Sequence, residues 1–271
     1  MKSAALFVAL TLAACSTVQT TRPGTVGVER EQMMLASSGS VNRQAEQAYK
    51  QTIQKAQAKH QLNQDPEQVE RVREISRRLI AATGAFRPDA PGWRWEVNVL
   101  TSKDVNAWCM PGGKIAVYTG LLAKVRPTDD ELAAVIGHEI GHALREHGRE
   151  QAGQAMGVGL AAAIGGAILG SRYGLDPDLG QNVLGTLGDL AFMRPHSREM
   201  EQEADRIGVE LAARAGYDPY AAVSLWEKMQ RVSEAAPPQW LSTHPSPATR
   251  IADLRHYADR VAPLYRAGGS R

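Results

Sequence analysis

Apolar side chains recur at helical spacing in several separate stretches of the chain, and in one stretch they alternate instead. Val69, Val72, Ile75, Leu79 and Ile80 stand three or four positions apart, the period of a helix with one buried face. Asp65 suits the N-cap and Pro66 the first helical position, so this helix is expected to open there and to end near Gly84. An earlier helix is expected from about Gln44 to Gln61. Trp93 to Val99 alternates with period two, which predicts a half-buried strand. Pro111-Gly112-Gly113 then reads as the turn of a hairpin between two further strands. Thr128-Asp129-Asp130-Glu131, after Pro127, has the form of a capping box; Leu132, Val135, Ile136 and Ile140 continue it as a helix, with Gly148 as its stop. Ser197 can cap another helix, Asp218-Pro219 opens one to about Val232, and the last spans roughly Pro247 to Val261. The pattern predicts an α+β domain, mostly helical, with a small β-sheet.

One stretch tests a membrane reading. Ala155 to Gly170 is continuously apolar, but as a helix it would rise only about 24 Å, short of a hydrocarbon core of roughly 30 Å. It also lies between groups that the chemistry below needs on one side of a membrane. Residues 151–193 are therefore expected to form a helical excursion of small residues.

His138-Glu139-Ile140-Gly141-His142 lies within the capped helix. Four residues advance an α-helix by about 400°, so both imidazoles leave nearly the same face one turn apart and can reach one zinc ion. Glu139 lies about 100° round, where it can take a proton from an attacking water without being a ligand. A catalytic zinc needs three protein ligands and an open position. Glu199, Glu201 and Glu203 are all chemically competent as the third, and spacing does not choose among them. His147 is about 140° round from His142 and about 180° from His138, so on a continuous helix it faces away from the metal, as a surface or second-layer residue. No spacing gives His196 a role, and Cys109 reads as a small apolar strand residue.

The H-E-x-x-H pentad, followed some sixty residues later by Ser197-Arg198-x-x-Glu201-x-x-x-Asp205, resembles the zinc metallopeptidase family of HtpX and the CAAX prenyl proteases. The run from Asn106-Ala107-Trp108 through Pro111-Gly112-Gly113 to Gly120-Leu121-Leu122 is similar to a block that precedes the zinc helix in that family. The resemblance covers roughly residues 70–255 and implies a gluzincin-type metallopeptidase domain with one Zn2+ per chain. It implies Glu201 as third ligand beside His138 and His142, and Glu139 as catalytic base. Asp205, one turn on from Glu201, would accept from a ligating imidazole, with Arg198 of the same motif also expected in this outer layer. Asn106, Ala107 and Trp108 would form the strand that pairs with an extended substrate. His244-Pro245, followed by Arg250, resembles the tail of periplasmic members; His244 is expected either as a reversible fourth ligand or as a contact to the oxyanion, with capping of the last helix as the structural alternative.

The ends bear on location. Met1 to Ala14 has the charged start and short apolar run of a secretory signal, and Leu12-Ala13-Ala14-Cys15 resembles a bacterial lipobox, implying cleavage before Cys15 and lipid on its sulfur. Ser16 fits sorting to the outer membrane as enteric bacteria practise it. Residues 15–43, with few large apolar side chains, are expected to be a flexible tether. The metallopeptidase domain is placed at 44–262 and a C-terminal tail at 263–271. Lipidation would leave Cys109 as the one free thiol of two cysteines, so no intrachain disulfide is available. Loss of residues 1–14 removes one lysine and leaves 30 basic against 29 acidic side chains, a balance that argues against nucleic acid and against a polybasic membrane patch.

Together these readings predict a lipid-anchored zinc endopeptidase of the bacterial cell envelope, facing the periplasm, that cleaves unfolded or misassembled envelope proteins. The alternative is a non-catalytic chaperone or assembly factor of the outer membrane with a structural zinc. Against it stands Glu139, which a structural site does not need.

Overall fold

The computed structural model describes residues 17–157, 195–235, 240, 242, 244 and 249–268. The signal segment, Cys15, Ser16 and most of the excursion at 151–193 lie outside the described residues, apart from helical backbone over 147–157. Among the described residues, no helix is long and apolar enough to cross a membrane.

Local chemistry sets most element starts. Helix α2 (Pro66–Ala82) is capped by the Asp65 carboxylate, which accepts from the amides of Glu67 and Gln68, and of the predicted stripe it buries Val69, Val72, Ile75 and Leu79, with Ile80 half-buried. Helix α1 (Ser38–Ala58) begins earlier than the apolar pattern suggests, because the Ser37 hydroxyl caps it by accepting from Ser40 N–H. Helix α4 (Asp129–Leu144) has the full capping box between Thr128 and Glu131, and from Glu131 onward every one of its residues is buried. It runs through the centre of the domain and packs against α2, a β-strand and two later helices, α5 (Arg198–Arg214) and α6 (Ala221–Ala235).

Strand β3 (Glu96–Leu100) starts three residues later than the alternation suggests, since Trp93 closes a turn on Ala90. Strands β4 (Ala107–Met110) and β5 (Lys114–Tyr118) form the predicted hairpin, antiparallel, while β3 pairs with β5 in parallel. The order β3-β5-β4 leaves β4 at the edge of the sheet, against α4. Gly112 and Gly113 take φ of +82° and +84°, and a side chain at Gly113 would also meet the Trp95 ring, so the turn requires glycine there. A short helix α3 (Thr119–Val125) leads from β5 toward α4.

Three expectations are corrected. Residues 17–43 are not a tether: β1 (Thr17–Val18) pairs with β2 (Gln32–Met33), Val26 and Val28 enter the main core, and Val26 N–H donates to the Glu210 carboxylate at 2.9 Å. Val26, Val28, the buried Ala36 and a set of polar contacts hold this strap, a sparse pattern that composition does not reveal. The last helix, α7 (Arg250–Gly268), runs into the expected tail as far as Gly268, with Pro263 inside it; residues 269–271 lie outside the described residues. Helix α4 stops at Leu144 rather than near Gly148, because Glu146 adopts a left-handed φ of 51°.

Candidate metal centre

Helices α4 and α5 cross with their backbones almost touching. An added Cβ at Gly137 would lie 2.9 Å from Gly208 O, and one at Gly141 the same distance from Ala204 O. This proximity lets side chains from both helices converge on one point. His138 and His142 face each other through their Nε2 atoms, 3.0 Å apart. Glu201 Oε1 lies 3.3 Å from His142 Nε2, and Oε2 lies 3.5 Å from His138 Nε2. With one atom from each of His138, His142, Glu201 and His244, a set of four donors lies within 4.8 Å, and all four residues are buried.

The donor set fits a small cation. Ligand atoms about 2.0–2.1 Å from one tetrahedral zinc stand roughly 3.3–3.4 Å from each other, close to the separations here. Glu201 Oε1 is buried and, among the described residues, no hydrogen-bond donor reaches it, a condition that is costly unless something positive fills the position. Burial lowers the pKa of both His138 and His142, keeping them as the neutral imidazoles that metals bind.

The surrounding layer is charged and ordered. His138 Nδ1 meets Asp205 Oδ1 at 2.9 Å, and Arg250 donates to the same oxygen at 2.6 Å while also reaching Glu201 Oε2 at 3.1 Å. Burial pushes Asp205 up, yet Arg250 and His138 more than offset this and its pKa is lowered. For Glu201, burial dominates and pushes the pKa well above the usual carboxylate range. Arg250 itself lies over the Trp226 ring, 3.6 Å from its centre.

Glu139 sits beside the cluster. Burial pushes its pKa up to about 8, opposed by a 2.7 Å hydrogen bond that Trp240 Nε1 donates to Oε1. His244 Nδ1 lies 3.0 Å from Trp240 O, so that nitrogen donates to the carbonyl, and Nε2 lies 3.5 Å from the same Glu139 oxygen. A cleft opens here, lined by Asn106, which precedes the edge strand rather than belonging to it, by Ala107 and Trp108 on that strand, and by His142, His196 and His244. Cys109 also borders it; burial raises its thiol pKa well above the ordinary value, which leaves a poor nucleophile.

Of the three glutamates that spacing left open, Glu201 enters the cluster. Glu203 turns to Arg145 and His147 instead, and Glu199 is exposed. Arg198 is exposed on the first turn of α5 and is not brought to the centre; the guanidinium found there is that of Arg250, from a helix the motif does not include. His147 does not face away as a continuous helix would require. The break after Leu144 folds it behind His142, where the two Nδ1 atoms lie 2.8 Å apart. His196 and Trp240 carried no pattern in the sequence. The His196 ring stacks on that of His142 with centroids 4.0 Å apart, and only its place immediately before the Ser197 cap hinted at this.

A mostly helical domain in which two imidazoles one turn apart and a carboxylate from a crossing helix enclose one point, with a further carboxylate alongside, has the make-up of a metallopeptidase. The model of peptidase family M48 matches residues 66–258, and the chain belongs to that family. It is 38% identical to the mitochondrial metalloendopeptidase OMA1 of Arabidopsis thaliana over 182 residues, 67% of this chain and 34% of that protein. It is 30% identical to metalloprotease LoiP of Escherichia coli over 189 residues, 70% of this chain and 71% of LoiP. The beta-barrel assembly-enhancing protease of the same bacterium is 30% identical over 61% of this chain and 35% of its own. The chain thus spans about a third of the length of the plant and vertebrate OMA1 proteins it matches.

Proposed function

We propose that this chain is a zinc endopeptidase, with His138, His142 and Glu201 as ligands and Glu139 as general base. The observation that carries this reading is Glu139: it borders the donor set without entering it, and Trp240 fixes its orientation. Zinc would supply a Lewis acid that acidifies a water and polarises the scissile carbonyl. Among the described residues no strand pairs with the outer side of β4, which can take an extended peptide and align the bond to be cut with the cleft. Glu139 accepts the proton of the attacking water and passes it to the leaving amine. A neighbouring cation favours the ionised carboxylate that this step needs, against the upward push of burial.

The site requires a chain that reaches it extended, which suits unfolded or misassembled proteins. The signal-like start and the Cys15 motif support a lipid-anchored enzyme facing the periplasm, sorted to the outer membrane. Zinc content and casein cleavage, measured together for wild type and Glu139→Gln, test the chemistry. Loss of cleavage at unchanged zinc supports it, and retained turnover refutes it. Labelling with palmitate in wild type but not Cys15→Ala tests the anchor.

One observation favours the second reading, a chaperone or assembly factor with structural zinc: His244 stands where a fourth protein ligand would close the site. We take His244 as a reversible plug: its Nε2 faces the centre, while Trp240, buried beside Trp226, stays in place to orient Glu139.

A further inference from the structure

The two imidazoles are held from behind in different ways. His138 rests directly on the Asp205 carboxylate, whereas His142 rests on a second imidazole. If Nε2 of His142 is to bind a metal, its proton must sit on Nδ1 and be donated to the nearest partner. That partner is Nδ1 of His147, which must then accept and carry its own proton on Nε2. Nε2 in turn donates to Glu203 Oε2 at 2.9 Å. Each ring's tautomer thus dictates the next, and the chain ends on a carboxylate.

Glu203 is itself fixed by two guanidinium groups. Arg145 reaches it at 3.0 and 3.2 Å, and Arg30, on the N-terminal strap, at 2.9 and 3.0 Å. Arg30 also grips Glu150 through two bonds of 2.7 and 2.9 Å, and Gln32 donates to Glu150 and to Arg145 O, both at 2.7 Å. Two guanidinium groups and two carboxylates leave this cluster neutral, with Arg145, His147, Glu150 and Glu203 all buried. The strap, running before the residues matched to the family, closes this layer behind one ligand.

We propose that His147 is a positioning residue for the metal, and that Arg30 of the strap, through Glu203 and His147, holds His142 in its metal-binding tautomer. This rests on the metal reading of His138, His142 and Glu201. It makes metal affinity depend on a segment that touches neither the metal nor the cleft.

The test is the zinc dissociation constant of the full chain by chelator competition, with thermal unfolding of the metal-free protein alongside. His147→Leu removes the acceptor and should weaken zinc binding by roughly 10- to 100-fold. His147→Asn places an amide oxygen near the lost Nδ1 and should recover much of that loss. Arg30→Met should weaken binding less, since Arg145 still holds Glu203. Wild-type affinity in His147→Leu would overturn the proposal, as would equal losses in His147→Leu and His147→Asn, which would mark His147 as packing alone. If wild type holds no zinc that His138→Ala releases, the metal reading itself fails, and this inference with it.

Discussion

Gly208→Ala isolates the helix crossing on which the centre depends. Its added Cβ would stand 2.7 Å from His138 N, 2.9 Å from Gly137 C and 3.0 Å from His138 Cα, against 3.4 Å or more for ordinary contact. The shortfall is at least 0.7 Å, and every neighbour is backbone, so no rotamer change relieves it. In an open helix the same substitution stabilises by about 0.8–1.0 kcal/mol through propensity. Overpacking of this kind costs about 1–3 kcal/mol, so the two effects leave a net destabilisation of roughly 0–2 kcal/mol. The effect on the metal should be larger. Moving α5 away from α4 by even half the shortfall carries Glu201 off His138 and His142 by more than the roughly 0.2 Å that a metal site tolerates. Thermal unfolding of the metal-free protein and zinc competition measure the two effects separately. A raised melting temperature with unchanged zinc affinity would refute the close crossing.

Glu201→Ala should strip zinc and abolish cleavage, whereas Glu203→Ala should weaken zinc by less and destabilise the strap; metal analysis of both proteins distinguishes them. Trp240→Phe keeps the ring but removes the donor to Glu139, so kcat should fall by roughly tenfold at unchanged zinc content, and an unaltered kcat would dismiss the orienting role. Glu150 and Glu203 are both held below their ordinary 4.5, Glu203 at about 2; burial opposes this, and is outweighed by Arg30 for Glu150 and by His147, Arg30 and Arg145 for Glu203. Because folding depresses these values, the stability they add is present above about 4.5 and is lost as pH falls toward 2. Arg30→Met should flatten that acid dependence in a stability profile between pH 5 and 2.

What the sequence determined was set by short-range rules. A capping box fixes where α4 begins, a four-residue spacing puts His138 and His142 on one face, and Pro111-Gly112-Gly113 turns the hairpin. Each depends on neighbours within a turn or so of chain, and period and cap chemistry reveal such relations. Spacing left Glu201 and Glu203 open and only the family resemblance pointed to Glu201; physically, the two lie two residues apart on one helix, and the approach of α4 at Gly137, Gly141 and Gly208 decides which carboxylate meets the imidazoles. The break after Leu144 reversed the expected direction of His147, since one left-handed residue ends the 100° progression. Arg250, Trp240 and the Arg30 strap reach the centre from distant parts of the chain. Long-range ion pairs and hydrogen bonds follow no sequence period, so their partners became visible only when tertiary packing brought them together.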